Sequence, residues 1–249
     1  MPRIRTCLPL LCLVLLAAAP GPDKPKAEDI LDNYIKITGG KEAHEKIKSL
    51  TAKGRVEAAA QGIKGQLALY FAAPNKLYEL MDIPGLDKRE QGYDGKVAWE
   101  KSTVTGARIL TGEEKAATVR EATLDADVNW RQLYQKAELA GEEAVNGKPA
   151  YKVIMTPNEG APSTRFYDKE SGLLVKSIET VTSAMGKITT EALISDYKKV
   201  NGVLFPHKIK QTALGQSADI TFDSIEANTE IPKDRFDLPA DVKKLAEKK

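Results

Sequence analysis

The chain has little with which to build a catalytic or metal centre. It holds two cysteines and two histidines in 249 residues. Cys7 and Cys12 both lie in the first apolar run, so the chain beyond that run has no thiol nucleophile and forms no disulfide. His44 and His207 are remote in sequence and no H-E-x-x-H occurs, which leaves no clustered ligand set for zinc. G-x-S-x-G, G-x-G-x-x-G and G-x-x-x-x-G-K-[ST] are missing as well, and with them the sequence marks of a hydrolase elbow and of phosphate-cradling loops. Aromatics are only 6% of residues, so the interior must be filled largely by aliphatic side chains.

Only one run is strongly apolar. Arg3 and Arg5 precede CLPLLCLVLLAAAP, which is short for a bilayer span and ends in small residues. That layout predicts a signal peptide over residues 1–22, with Ala17, Ala18 and Ala19 as the cleavage pattern. The alternative is a short anchor that stays uncleaved. Cys12 follows Leu11 in mid-run, a poor context for lipidation. Residues 23–249 are then expected to form one domain, periplasmic or secreted, and monomeric. Without Arg3 and Arg5, 35 of the 37 basic residues face 35 acidic ones. That balance, with no basic stripe carrying aromatics, argues against nucleic acid as a partner.

The rest alternates between short helices and many strands. Ile30, Leu31, Tyr34, Ile35 and Ile37 fall on one helical face, and Gly39-Gly40 ends it. A second short helix is predicted across KEAHEKIKSL, with His44 solvated on its charged surface. From Leu50 the period becomes two: Leu50, Ala52, Gly54, Val56, Ala58 and Ala60 face one way, and Thr51, Lys53, Arg55 and Glu57 face water. Two further strands break at Ala73-Pro74-Asn75, and Asp94-Gly95 signals a two-residue hairpin. GEEKAATVREATLDADVNWRQLYQKAEL has helical composition and is read as two helices split near Asp125. Strands resume from Gly147, with reversals at Ser171-Gly172, Met185-Gly186 and Asn201-Gly202.

The last of these decides how His207 is read. Asn201-Gly202 suits a type I′ turn, and it joins SDYKKV to VLFPHKIKQ. Val203, Phe205, His207 and Ile209 then share one strand face, and Pro206 belongs at an edge or a bulge. With no nucleophile and no metal partners, His207 is a partly exposed strand residue, and Asp196 across the hairpin is an ordinary neighbour. The small residues of the first strand leave two possibilities. Either a helix packs very close to them or they line a ligand cavity.

GQLALYFAAPNKLYELMDIPG followed by YDGKVAWEKS resembles the outer-membrane lipoprotein carrier family, the LolA/LolB-like proteins. The matching positions are Pro74, Asn75, Asp94, Gly95, Lys96 and Trp99. GKPAYKVIMTP, TRFYDKESGLLVKSIE, SDYKKVNGVLFPHKI and IPKDRFDLP resemble the wider lipoprotein-sorting superfamily in the same order. The resemblance implies an α+β fold: a curved antiparallel sheet forming an unclosed half-barrel, with helices covering its open side. It implies a cavity for acyl chains of a lipid or lipoprotein, donor or acceptor proteins at the inner or outer membrane, no cofactor and no catalysis. Expected cavity residues are Val56, Leu69, Phe71, Met81, Trp99, Met155, Phe166, Ile194, Phe205 and Phe222. Two positions depart from the carrier pattern: Ala73 replaces an arginine and Leu77 an aromatic. A sensor or interaction domain with a filled barrel is the alternative.

Overall fold

The computed structural model describes residues 24–183 and 186–247. The signal-peptide reading and the Met185-Gly186 reversal rest on residues outside that set. Helix α1 (Ala27–Ile37) buries Ala27, Ile30, Leu31 and Tyr34 as its periodicity requires. Gly39 and Gly40 follow with positive φ, and α2 spans Lys41–Glu45. The first meander comprises β1 (Ser49–Ala58), β2 (Ile63–Ala72), β3 (Lys76–Ile83), β4 (Asp87–Tyr93), β5 (Ala98–Ser102) and β6 (Gly106–Ile109). Helices α3 (Gly112–Ala122) and α4 (Trp130–Leu133) come next. The second meander comprises β7 (Tyr134–Val145), β8 (Lys148–Pro157), β9 (Ser163–Asp168), β10 (Leu174–Ser183), β11 (Gly186–Val200), β12 (Val203–Ala213) and β13 (Gln216–Ala227), and α5 (Ala240–Ala246) closes the described chain.

All thirteen strands form one antiparallel sheet, ordered β6-β5-β4-β3-β2-β1-β13-β12-β11-β10-β9-β8-β7. The two meanders meet where β1 pairs with β13, and β6 and β7 remain as separate edges of an unclosed half-barrel. The α1 side chains pack on Val153, Met155 and Tyr167 with Trp130, which identifies the inner, helix-covered face of the sheet. On the first wing Ala122 of α3 packs on Leu77, Tyr93 and Ala98 of the same face. Helix α3 also touches β10, so it crosses the open side from one wing to the other.

The local signals translate into particular turns. Asn201 (φ 46°) and Gly202 (φ 89°) both adopt the left-handed region that a type I′ turn needs. Asp196 has φ 56° within β11, and the register is the same on either side of it: Ser195 pairs with Lys208 and Tyr197 with Pro206. Pro206 precedes Lys208, where the pairing of β12 with β13 begins, so its missing N–H breaks no bond to that neighbour. Gly39 also serves a close approach: a Cβ there would lie 2.6 Å from the Gly202 carbonyl oxygen. The Leu204 N–H donates to the Thr38 carbonyl at 2.8 Å, tying the helical lead-in to this hairpin.

Several expectations are corrected. The second predicted helix is mostly strand: Ala137 pairs with Met155 and Leu139 with Val153 in β7. Pairing across a sheet overrides helical composition, because strand preference depends on neighbours more than on the residue itself. Asp94-Gly95 opens a four-residue loop, not a two-residue one, since the Asp94 carboxylate accepts the N–H groups of Lys96 and Val97, each at 2.7 Å. Thr51, read as wet, is buried. His44 is half-buried with Nε2 3.0 Å from Thr38 Oγ1, and burial lowers its pKa.

The seam between the meanders is tight at Gly54. A Cβ there would run into the Thr221 carbonyl oxygen and lie 2.9 Å from Phe222 Cα, both backbone. Asp223 is the extra residue at this point, since Lys53 pairs with Ser224 and Gly54 with Phe222. Gly54→Ala is expected to destabilise the protein by about 1–3 kcal/mol, the usual range of overpacking, and towards its upper end because the groups it meets are backbone. Urea unfolding monitored by circular dichroism checks this: the midpoint should drop in one cooperative transition. An unchanged midpoint would show that the seam yields.

Candidate functional site

Strand register sorts the ten expected cavity residues. Direct cross-strand partners share a face. Leu50, Phe71, Leu77 and Tyr93 form one such row, and Ala52, Leu69 and Glu79 the next. Val56, Leu69, Phe71, Met81, Met155, Ile194, Phe205 and Phe222 all project to the inner face. Leu69, Met81 and Phe222 come together with Ala52, Leu67, Ile209, Ile220 and Ile225. Phe71 and Phe205 join Ile47, Leu50 and Val203 nearer the lead-in helices. Ile194 pairs with Ile209. Met155 is wholly buried under α1 and fills core.

Trp99 and Phe166 lie on the opposite face. Trp99 pairs with Gly92, and a Cβ on Gly92 would meet its ring at 2.7 Å. The indole continues the Tyr70–Tyr78 aromatic row, which Arg235 caps from 4.6 Å and 5.2 Å. The segment after β13 thus covers this outer patch, and Val242 of α5 is fully buried beside it while Asp241 bonds Lys101 at 2.9 Å. Phe166 packs with Val145, Ala150, Val175, Ile178 and Leu193. In both cases the strand parity puts the aromatic outward, and covering segments or lysine stems bury it.

His207 is 6% exposed, so the reading of it as partly exposed is corrected. It shares the inner face with Phe205 and Ile209 as expected, and its Nδ1 lies 3.1 Å from the Phe205 carbonyl oxygen. Asp196 pairs instead with Lys198 at 3.2 Å. Among the described residues no three His, Cys, Asp or Glu side chains are grouped to hold a metal ion.

What the inner face does offer is a floor of aliphatic side chains only half covered. Leu69, Met81, Ile209, Ile220 and Ile225 are partly buried, although they lie in the middle of the sheet. Helix α3 touches β3, β4 and β5 on one wing and β10 on the other, and none of its residues belongs to this cluster. Its stripe Glu113, Ala117 and Glu121 follows the i, i+4 spacing. Glu113 and Ala117 line a cleft of about 60 Å³ against Glu179, Val181 and Thr182 of β10. This cleft lies at the end of the sheet where the hairpin tips carry exposed Leu86, Val104 and Leu214.

Two carboxylates, on α3 and on β3, have raised pKa values. Desolvation, then the charges of Glu79 and Glu179, push the pKa of Glu121 up to about 8, with Arg89 opposing. Glu79 behaves alike: burial raises its pKa, Arg89 opposes the rise and Glu100 adds to it. Sequence reasoning missed Glu79, although it interrupts the apolar row Leu77, Met81 and Ile83 on β3. A charge at that period-two position was the available signal.

The linkage has a definite sign. A carboxyl whose pKa is higher folded than unfolded takes up a proton on folding, so stability falls as pH rises from about 4.5 towards 8. Glu121→Gln removes that loss. The variant should melt with the wild type near pH 4.5 and about 2–4 °C above it at pH 8. That gain corresponds to ~1 kcal/mol, because solvent at the exposed side chain screens the full Coulombic effect. Calorimetry at both pH values checks it, and a wild type that melts higher at pH 8 would contradict it.

Solved structures share this architecture. A LolA superfamily protein from Nitrosomonas europaea aligns over 86% of this chain and 99% of its own at TM-score 0.57 and 12% identity. A DUF1329 family protein from Desulfovibrio piger aligns over 85% and 97% at TM-score 0.55 and 14% identity. A Vibrio parahaemolyticus domain described as outer membrane lipoprotein-sorting aligns over 83% and 97% at TM-score 0.51 and 11% identity. No protein-family profile and no curated protein matches the chain. The chain has the LolA/LolB-like fold.

Proposed function

We propose that this protein is an exported, non-enzymatic binding protein that carries an acyl chain or a similar apolar ligand inside its half-barrel. The observation that supports it is the half-covered floor of Leu69, Met81, Ile209, Ile220 and Ile225 on the inner face of the sheet. A packed core would not leave five large aliphatic side chains partly open in the middle of a sheet. Each CH₂ of a ligand laid on them gains about 0.8 kcal/mol, so one alkyl chain is an adequate ligand. The hairpin tips at the same end of the sheet expose aliphatic Leu86, Val104 and Leu214. Export rests on the leader-like residues 1–22, and no described helix is long and apolar enough to cross a membrane. A membrane-bound donor or acceptor fits a protein that carries lipid between surfaces. The absence of chemistry rests on the buried, backbone-bonded His207 and the missing nucleophile motifs.

Filling the hollow tests this reading against a sensor with the same fold and a closed interior. Ala192 is a small, partly buried inner-face residue between Ser177 and Gln211. Ala192→Phe is expected to weaken binding of a fluorescent dodecyl probe at least tenfold, with the melting temperature held within about 2 °C. A wild type that binds no dodecyl probe, with a variant that melts several degrees lower, would favour the sensor.

A further inference from the structure

The two ends of the sheet differ in chemistry. At one end every turn carries an amide or a charge: Asn75 between β2 and β3, Asp94 and Lys96 between β4 and β5, Asn146 between β7 and β8, Lys169 and Glu170 between β9 and β10, and Asn201 between β11 and β12. At the other end four turns in a row along the sheet carry no charge. They read TVT between β5 and β6, PGL between β3 and β4, AAQG between β1 and β2, and LG between β12 and β13. Charged residues are 29% of the chain, so this run departs from its composition. The same end collects the exposed aliphatic side chains. Leu214 is 78% exposed, Val104 72% and Leu86 58%, and Val181 stands near the tip of β10. Leu214 is also placed against its backbone preference. Leu214-Gly215 has φ 51° and 76°, the same pair of positive angles as Asn146-Gly147 and Asn201-Gly202 at the opposite end. Asparagine suits that first position and leucine is strained in it. Strain kept at an exposed tip points to a use for the side chain.

Neighbouring strands are about 4.8 Å apart, so these tips follow one another at ~10 Å and the four span roughly 30 Å. Gly85, Gln61, Thr103, Thr105 and Gly215 lie between the aliphatic side chains. Apolar groups set so far apart make no continuous patch, whereas the centre of a protein–protein interface is closely packed. A fluid lipid phase takes each of them separately. We propose that this rim docks on a phospholipid bilayer, with Leu86, Val104 and Leu214 entering its apolar boundary. Entry stops there, because the backbone groups of the turns need water. The charges behind the tips are balanced. Asp82 opposes Lys88, Glu57 opposes Lys64, and Lys187 pairs with Glu113 at 3.5 Å. The Asp87 carboxylate accepts from the Ser102 and Thr103 hydroxyls at 2.9 Å and 2.6 Å. Docking therefore follows inserted apolar area, not headgroup charge. The cleft lined by Ala117 and Val181 lies at this same end. On the reading of the half-barrel as a ligand space, an alkyl chain then passes between bilayer and protein without crossing water.

Vesicle flotation of the exported chain tests the rim. The protein should partition onto phosphatidylcholine vesicles, and added phosphatidylglycerol or salt should change this by about twofold or less. Leu86→Ser, Val104→Ser and Leu214→Asn together should lower partitioning about tenfold or more, since binding scales with inserted apolar area. The same triple variant should melt no lower than the wild type, because asparagine relieves the Leu214 turn. A single Val104→Trp variant gives a second signal: its added indole emission should shift blue on vesicles and be quenched by brominated lipid. Lys96→Trp, at the opposite end, should show neither. A chain that ignores both kinds of vesicle, a triple variant that binds like the wild type, binding that needs phosphatidylglycerol and low salt, or a signal from Lys96→Trp in place of Val104→Trp would each overturn the docking rim. The dodecyl probe reports on the hollow separately. Docking without probe binding upholds the rim and refutes the ligand space, and probe binding without docking does the reverse.

Discussion

The pairing of β1 with β13 holds the rest of the structure in place. It joins the early and late strands of the chain and turns two separate meanders into one thirteen-stranded sheet. Gly54 allows the two backbones to approach, and the bulge at Asp223 lets the register recover so that Val56 and Phe222 both face inward. Arg55 braces the bulge by reaching Asp223 on the outer face. Sequence-distant pairing of this kind closes slowly and late. The inner floor depends on it, because Ala52 and Leu67 come from one meander and Phe222, Ile220 and Ile225 from the other.

Curvature makes the interior useful, and the helices decide how much of it stays open. Under α1 the inner face is filled: Val153, Met155 and Tyr167 are fully buried. Across Leu69, Met81, Ile209, Ile220 and Ile225 it is not. Helix α3 is anchored at one end by Ala122 against Leu77 and Tyr93, and at the other by Glu113, which accepts from Thr182 and pairs with Lys187. Glu113 and Ala117 of α3 line the cleft against β10. One end of the concave face is therefore core and the other a candidate ligand space.

Much of this was legible in the sequence. Period-two stretches located most strands, Asn201-Gly202 located a turn, and the parity of VLFPHKIKQ placed Phe205 and His207 on one face. The half-barrel followed from the resemblance, not from the pattern. Three things were hidden for physical reasons. β7 has the composition of a helix and is a strand only because β8 pairs with it. Trp99 and Phe166 look like cavity aromatics, but their face depends on register, which a lone strand does not reveal. Their burial on the outer face comes from Arg235 and neighbouring elements distant in sequence. Glu79, Glu121 and Glu179 are ordinary glutamates in the sequence, and only the meeting of β3, α3 and β10 makes them neighbours.

The central claim is that alkyl chains lie on the inner floor of the sheet. Methyl-labelled isoleucine NMR tests it most directly, because isoleucines mark both faces. Ile209, Ile220 and Ile225 belong to the floor, whereas Ile109 pairs with Trp99 and Ile178 packs with Phe166 on the outer face. On addition of dodecanol, the floor methyl signals should shift saturably and those of Ile109 and Ile178 should stay. Floor signals that do not move, or shifts confined to the outer face, would contradict the half-barrel as a ligand space.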